Sequence, residues 1–199
     1  MPVGVPRVVF EIPEDEDPSW VDLYNRLYRQ RALFLTQEID DEVGNQIAGL
    51  MIFLSREDLT KTLFLFINSP GGLARPGLNI YDAIQYVDAE VYTACIGIAA
   101  SMASFILMGG VIPKRLAFPH ARVMIHQPAS EFFRDNADDC LVESSQLTIL
   151  RRNMIVTYAE ITGKPECVIN RDIERDNFLS PEEAQAHGLV DIIGGSFEI

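Results

Sequence analysis

The string GIAASMASF, residues 97–105, sets a serine where an apolar run gives way to small side chains and then to a helical pattern. Small neighbours would let a substrate backbone approach the Ser101 hydroxyl. A helix beginning there would supply unpaired N–H groups and a partial positive charge. The amide of Met102, directly after the serine, could then face a developing oxyanion. Strand, turn, serine and helix in that order is the layout of a nucleophile elbow, although the string is not G-x-S-x-G. The chemistry would be acyl transfer through a serine ester. A small-residue motif for helix packing would read the same.

A serine hydroxyl is scarcely ionised near neutral pH and needs a base. The chain has three histidines. His126 closes the apolar run RVMIH, and strand ends are where parallel α/β folds place catalytic groups. His120 lies in the loop before that run, and His187, in AHGLVD, follows a short helix. Any of them could be a hydrogen-bonded structural residue. The base also needs an acceptor that holds its tautomer and stabilises the imidazolium. RDIERDNFLS, residues 171–180, offers Asp172 and Asp176. The residues alone do not choose between them, and either could be a solvated surface charge. In FINSPGG, residues 66–72, two glycines leave a backbone open to close approach by another chain. Its amides could complete an oxyanion hole or pair with an extended peptide; an ordinary strand-to-helix turn would look alike.

These residues need a scaffold of alternating strands and helices. WVDLYNRLYRQR (20–31) has helical spacing, and ALFL (32–35) reads as a strand. Val43, Ile47, Leu50, Met51 and Leu54 line one helical face, with Asp40 or Asp41 as N-cap. TLFLFIN (62–68), VYTACI (91–96) and RVMIH (122–126) suit parallel strands buried on both faces. Pro76 can open a helix with the face Ile80, Ile84 and Val87, and Gly97 is expected to turn the second run into the helix near Ser101. A long helical pattern runs over 137–161 and stops at Thr162-Gly163. A short helix is expected over 165–174. Ser180-Pro-Glu-Glu is a capping signature, and LVDII (189–193) reads as a last strand. Strands alternating with helices imply stacked βαβ units with right-handed crossovers. Residues 1–19, Pro-rich and acidic, read as an arm without a core of its own.

Composition narrows the functions. The 199 residues are 48% hydrophobic and 23% charged, one ordinary globular domain. A net charge of −13 repels phosphate backbones, so nucleic acid is not an expected partner. Cys95, Cys140 and Cys167 show no CxxC spacing, which suggests reduced thiols. Cys95 reads as a small buried hydrophobe. No signal peptide, transit segment or membrane-length apolar run is visible, so the expectation is action where the chain is translated, with no membrane partner.

Taken in order, FINSPGG, GIAASMASFIL, RVMIHQP and ERDNFLSPEEA resemble the proteolytic-subunit family of the ATP-dependent Clp protease, from Tyr24 to Ile192. MPVGVP and KRLAFPHARVMIHQPAS are similar to the plastid-encoded branch, with cyanobacterial relatives next. The resemblance implies an α/β fold: the Clp- and crotonase-like spiral of repeated ββα units with a protruding handle helix over 129–161. It implies an N-terminal arm or axial loop over 1–19 and a single peptidase domain over 20–199. Its nucleophile falls on Ser101, its base on His126 and its acid on Asp176. Its oxyanion donors fall on the amides of Gly72 and Met102, and its ring contact on Arg175. Phe64, Phe66 and Tyr86 match its docking pocket for an AAA+ unfoldase; core packing is the plainer reading of the two phenylalanines. The implied activity is serine endopeptidase cleavage of unfolded polypeptides through an acyl-enzyme, by related subunits in two stacked seven-membered rings. No cofactor or metal is implied for this chain. ATP would be used by the partner, since no Walker A string occurs here, and the histidines lack zinc-type spacing. The implied location is the chloroplast stroma, with a cyanobacterial cytoplasm as the alternative.

Departures from the family pattern are local. ASEFFRD follows His126-Gln-Pro where bacterial members carry a Gly-Gly strand along the substrate groove, and one extra residue precedes Asp176. Ile98 replaces a frequent Gln, and Ala103 a frequent Gly, where the added methyl should crowd helix packing slightly. Two other readings compete. A structural ring subunit without turnover is disfavoured because all three triad positions are filled. A crotonase-type acyl-CoA enzyme shares the fold and an oxyanion hole but does not need the Ser–His–Asp set.

Overall fold

The computed structural model describes residues 4–10, 19–129 and 136–195. Its elements in chain order are β1 (Arg7–Phe10), β2 (Ser19–Asp22), α1 (Leu23–Arg29), β3 (Ala32–Leu35), α2 (Asp41–Glu57), β4 (Leu63–Ser69), α3 (Ala74–Tyr86), β5 (Val91–Ala100), α4 (Met102–Met108), β6 (Arg115–Ala117), β7 (Arg122–Ile125), α5 (Ala137–Thr162), α6 (Glu166–Asp172), β8 (Asn177–Leu179), α7 (Pro181–His187) and β9 (Ile192–Ile193).

Strands β3, β4, β5, β6 and β9 lie side by side in that order, all parallel. Strand β5 serves two partners in succession. Thr93–Cys95 pairs with β6, and Ile98–Ala100 pairs with β7. Strand β8 then pairs antiparallel with β7. The fold is α/β, as expected, but the strand does not turn at Gly97. It continues to Ala100 because Asn68, at a register shift between β4 and β5, lends its Oδ1 to the Ile98 N–H at 3.1 Å. A Cβ on residue 97 would lie 2.4 Å from that oxygen, so glycine is needed here for close approach rather than for a turn.

The helical spacing read for α2 holds. Val43, Ile47, Met51 and Leu54 are buried, and the Asp40 carboxylate accepts the Val43 N–H as N-cap. They pack with Leu33, Leu35, Leu65 and Ile67 in one core. Each such side chain contributes about 1.5–3 kcal/mol of burial. Every residue of α4, from Met102 to Met108, is buried, so this helix sits inside the core and anchors whatever precedes it. By contrast α5 buries only Met154, Ile155 and Tyr158, near its C-terminal end, and leaves Leu141, Val142 and Ile149 exposed.

Other expectations are corrected in detail. The first helix starts at Leu23, because Ser19–Asp22 pairs with Arg7–Phe10 as a two-stranded ribbon and Asp22 caps the helix that follows. Helix α3 begins at Ala74, two residues before Pro76. Only Ile192–Ile193 of LVDII joins the sheet; Asp191 instead turns its carboxylate onto the buried Arg115 at 2.6 and 2.8 Å. Strands β6 and β8, three residues each, are too short to show a period and were not expected. Residues 130–135, where the ASEFFRD departure and the start of the handle fall, and most of the expected arm lie outside the described residues. Among the described residues, no helix is long and apolar enough to cross a membrane. No group of three His, Cys, Asp or Glu among them could hold a metal ion.

Candidate active site

Strand β5 ends at Ala100 and α4 begins at Met102, leaving Ser101 at φ 56° and ψ −124°. A non-glycine residue held there costs about 1–3 kcal/mol and persists only where its surroundings fix it. Four contacts do so. The Ser101 N–H donates to the Met124 carbonyl at 2.9 Å. The Ser101 carbonyl accepts the N–H of Ser104 at 3.0 Å, its hydroxyl at 2.7 Å and the N–H of Phe105 at 3.3 Å. Ser104 lies 3.2 Å from the Tyr158 hydroxyl, whose pKa burial pushes up to about 12 against the lowering effect of Ser104. The tyrosine therefore remains a neutral partner, and it ties the nucleophile turn to α5.

The register of β7 on β8 brings the candidate base, His126, and its candidate acceptor, Asp176, together. Ile125 pairs with Asn177, and one residue further along the antiparallel register His126 stands opposite Asp176. The His126 Nδ1 lies 2.9 Å from Asp176 Oδ1, and its Nε2 lies 2.8 Å from Ser101 Oγ. A carboxylate only accepts, so Nδ1 carries the proton and Nε2 is free to accept from the serine. The other carboxylate is engaged elsewhere: Asp172 bonds His187 Nε2 at 3.1 Å. Burial, opposed by the bond to Asp172, holds the pKa of His187 below its usual range. His120 stays in an exposed loop.

The NSPGG turn faces Ser101. Ile39 bonds the Gly71 carbonyl and the Leu73 N–H, both at 2.8 Å, in a parallel bridge centred on Gly72. In such a bridge the central residue's own N–H points to the opposite edge. The Gly72 N–H therefore points away from Ile39, on an exposed residue. The Met102 N–H, in the first turn of α4, belongs to the donors a helix leaves unpaired. Gly71 has φ +95°, and a Cβ there would lie 2.7 Å from the Ser101 Cβ. Ser69, not singled out from sequence, holds this turn: its hydroxyl donates to the Gln37 carbonyl at 2.6 Å and accepts the Gly71 N–H at 3.1 Å. A serine followed by Pro-Gly-Gly is a turn signal that could have pointed to it.

Arg175 is exposed and makes no ion pair among the described residues. Phe64 is buried edge-on to Tyr92, and Phe66 is half-buried and stacked on Phe34 at 5.2 Å. Tyr86 is exposed in a different groove, with Ile52, Arg56 and Leu59. The groove at Tyr86 is lined by neither Phe64 nor Phe66.

A serine ester chemistry on this framework agrees with comparison to known proteins. The family model described as Clp protease matches residues 14–196. The chain belongs to the Clp protease family. Proteins named ATP-dependent Clp protease proteolytic subunit are 59% identical in Cucumis sativus, over 97% of this chain and 99% of the relative. The corresponding figures are 58%, 97% and 98% in Spinacia oleracea, and 57%, 98% and 96% in Acorus gramineus. This Clp protease chain is a proteolytic subunit with serine-type endopeptidase activity, on the fold its sequence implied.

Proposed function

We propose that Ser101, His126 and Asp176 are the catalytic triad of this Clp protease subunit, hydrolysing unfolded polypeptides through an acyl-enzyme. The observation that carries the reading is the continuous hydrogen-bond chain from Asp176 through His126 to Ser101. Ser101 Oγ attacks the scissile carbonyl carbon as its proton passes to His126 Nε2. The carbonyl electron pair moves onto oxygen, where the Gly72 and Met102 amides donate to it. Collapse of the intermediate expels the amine, which takes the proton from His126 and leaves the ester. Water, deprotonated by the same imidazole, then attacks the ester and frees the acid and Ser101. Asp176 holds the ring and stabilises the imidazolium without taking its proton.

Substrate backbone fits along the free edge beside Gly72, as an added strand. A groove of about 450 Å³ starts one residue later, with Leu73, Pro76, Leu147 and Leu150 among its walls. Asp41, Arg75 and Glu143 also line it, so its walls are mixed rather than apolar. The names of the relatives support work with an ATP-consuming Clp partner, and the subunit itself needs no cofactor. Stacked rings of seven subunits, paired through Arg175, and docking of an AAA+ unfoldase at Phe64, Phe66 and Tyr86 complete the reading. Plant relatives support a chloroplast, and we place the chain in its stroma.

Ser101→Ala should abolish labelling by a fluorophosphonate and cleavage of a small fluorogenic peptide while leaving assembly intact. Undiminished cleavage by a homogeneous preparation of that variant would reject the triad.

A further inference from the structure

Two short segments carry the base and its acceptor, and one arginine on α5 grips both. Arg151 Nε donates to Gln127 Oε1 at 2.9 Å, and Arg151 Nη2 donates to Glu174 Oε2 at 3.0 Å. Gln127 directly follows His126, and Glu174 stands two residues before Asp176. The grip is closed on its far side as well. Gln127 Nε2 donates to the Glu174 carbonyl at 3.1 Å, and the Gln127 N–H donates to the Ile173 carbonyl at 2.7 Å. The Arg151 side chain is 28% exposed and Glu174 61% exposed, so the ring of bonds is partly wet rather than a buried core feature.

We infer that Arg151 is a positioning residue for the catalytic reaction, setting the distance between His126 and Asp176 from the flank of α5. This rests on the triad proposed above and adds a residue that touches neither substrate nor reacting atoms. The physical reason lies in the triad's exposure. Asp176 is 64% exposed, and His126 29% exposed. An exposed carboxylate on a short segment has little packing of its own to hold it within hydrogen-bond reach of the ring. The β7–β8 ladder ends at Ile125 and Asn177, one residue short of the catalytic pair. Beyond that ladder the Gln127–Glu174–Arg151 ring is the next cross-link. A planar guanidinium suits the task because it donates in two fixed directions at once. A lysine could reach one acceptor well but not both with the same geometry.

The test measures four variants as assembled protein, by the rate of fluorophosphonate labelling of Ser101 and by kcat and KM on a small fluorogenic peptide without an unfoldase. Arg151→Met should slow labelling and lower kcat by roughly tenfold, the scale of one charge-assisted bond, with KM little changed. Arg151→Lys should recover part of the loss. Glu174→Gln, which keeps the accepting oxygen, should retain most of the activity. Glu174→Ala combined with Arg151→Met should be no slower than Arg151→Met alone, because the two residues act through one link. Wild-type labelling by Arg151→Met would overturn the inference. So would equal losses in the Met and Lys variants, or a double variant slower than Arg151→Met alone. Ser101→Ala is run beside them: labelling of that variant at the wild-type rate would remove the triad itself, whereas its silence beside a fast Arg151→Met removes only the role of Arg151.

Discussion

Gly71→Ala tests how closely the oxyanion turn is fitted to the nucleophile. Gly71 holds φ +95°, and a Cβ placed on it would lie 2.6 Å from the Ala100 carbonyl oxygen and 2.7 Å from the Ser101 Cβ. Ordinary contact begins near 3.4 Å. The methyl is therefore short of room by about 0.8 Å against two rigid neighbours. Neither is the end of a flexible side chain, so the two turns must part. The left-handed backbone adds about 1–2 kcal/mol of its own. A shift near 1 Å between catalytic groups costs about 100-fold in rate, and losing one oxyanion donor costs about 100- to 1,000-fold. The expected outcome is a kcat lowered at least about 100-fold on a small peptide, with a stability loss of about 2–4 kcal/mol. Gly49→Ala makes the same chemical change on the exposed face of α2, where a Cβ would meet nothing within 4 Å. It should leave kcat unchanged and add about 0.5–1 kcal/mol. The assays are steady-state peptide hydrolysis, denaturant midpoints and sedimentation. A Gly71→Ala protein that assembles and keeps kcat within about threefold would refute the fit described here.

Three further outcomes are expected. Asp176→Asn should lower kcat by about 1,000- to 10,000-fold by spoiling the imidazole tautomer, whereas Asp172→Asn should change it only a few-fold; similar losses from both would reject the assignment. His187 is buried beside Asp172 and near the charge of Lys164, and its pKa in the folded chain lies below that in the unfolded chain. The unfolded chain therefore binds the proton first. His187 then contributes its full stability above the unfolded value of about 6.5 and loses it as pH falls below that. Melting temperatures from about pH 7.5 down to about 5 should fall more steeply for the wild type than for His187→Gln, and parallel curves would contradict this. Asp191→Leu strands the guanidinium of Arg115, which is only 3% exposed, and should cost about 3–5 kcal/mol in urea unfolding. Adding Arg115→Met should return much of that loss; no recovery in the double variant would show that the pair is not the cause.

Ser101 and His126 were legible in the residues as candidates, each beside a structural reading, because their signals are local. Small side chains at a strand-to-helix junction mark Ser101, and an apolar run that ends in a histidine marks His126. Spacing likewise foretold α2 with Asp40 or Asp41 as its cap, of which the structure uses Asp40, and the capping box at Ser180 is formed as its string implied. Resemblance to a family supplied the acid that these patterns left open. What needed three dimensions was every pairing between distant segments. Asp176 lies 50 residues from His126, and the antiparallel register of β7 on β8 brings these two together, whereas Asp172, at the end of α6, meets His187 at the end of α7. Gly97 looked like a turn because its partner, Asn68, belongs to another strand. Local sequence thus determined which groups could do the chemistry. The tertiary structure decided which of them meet, because a hydrogen bond of 3 Å depends on strand register and backbone direction, and neither is written in the residues next to it.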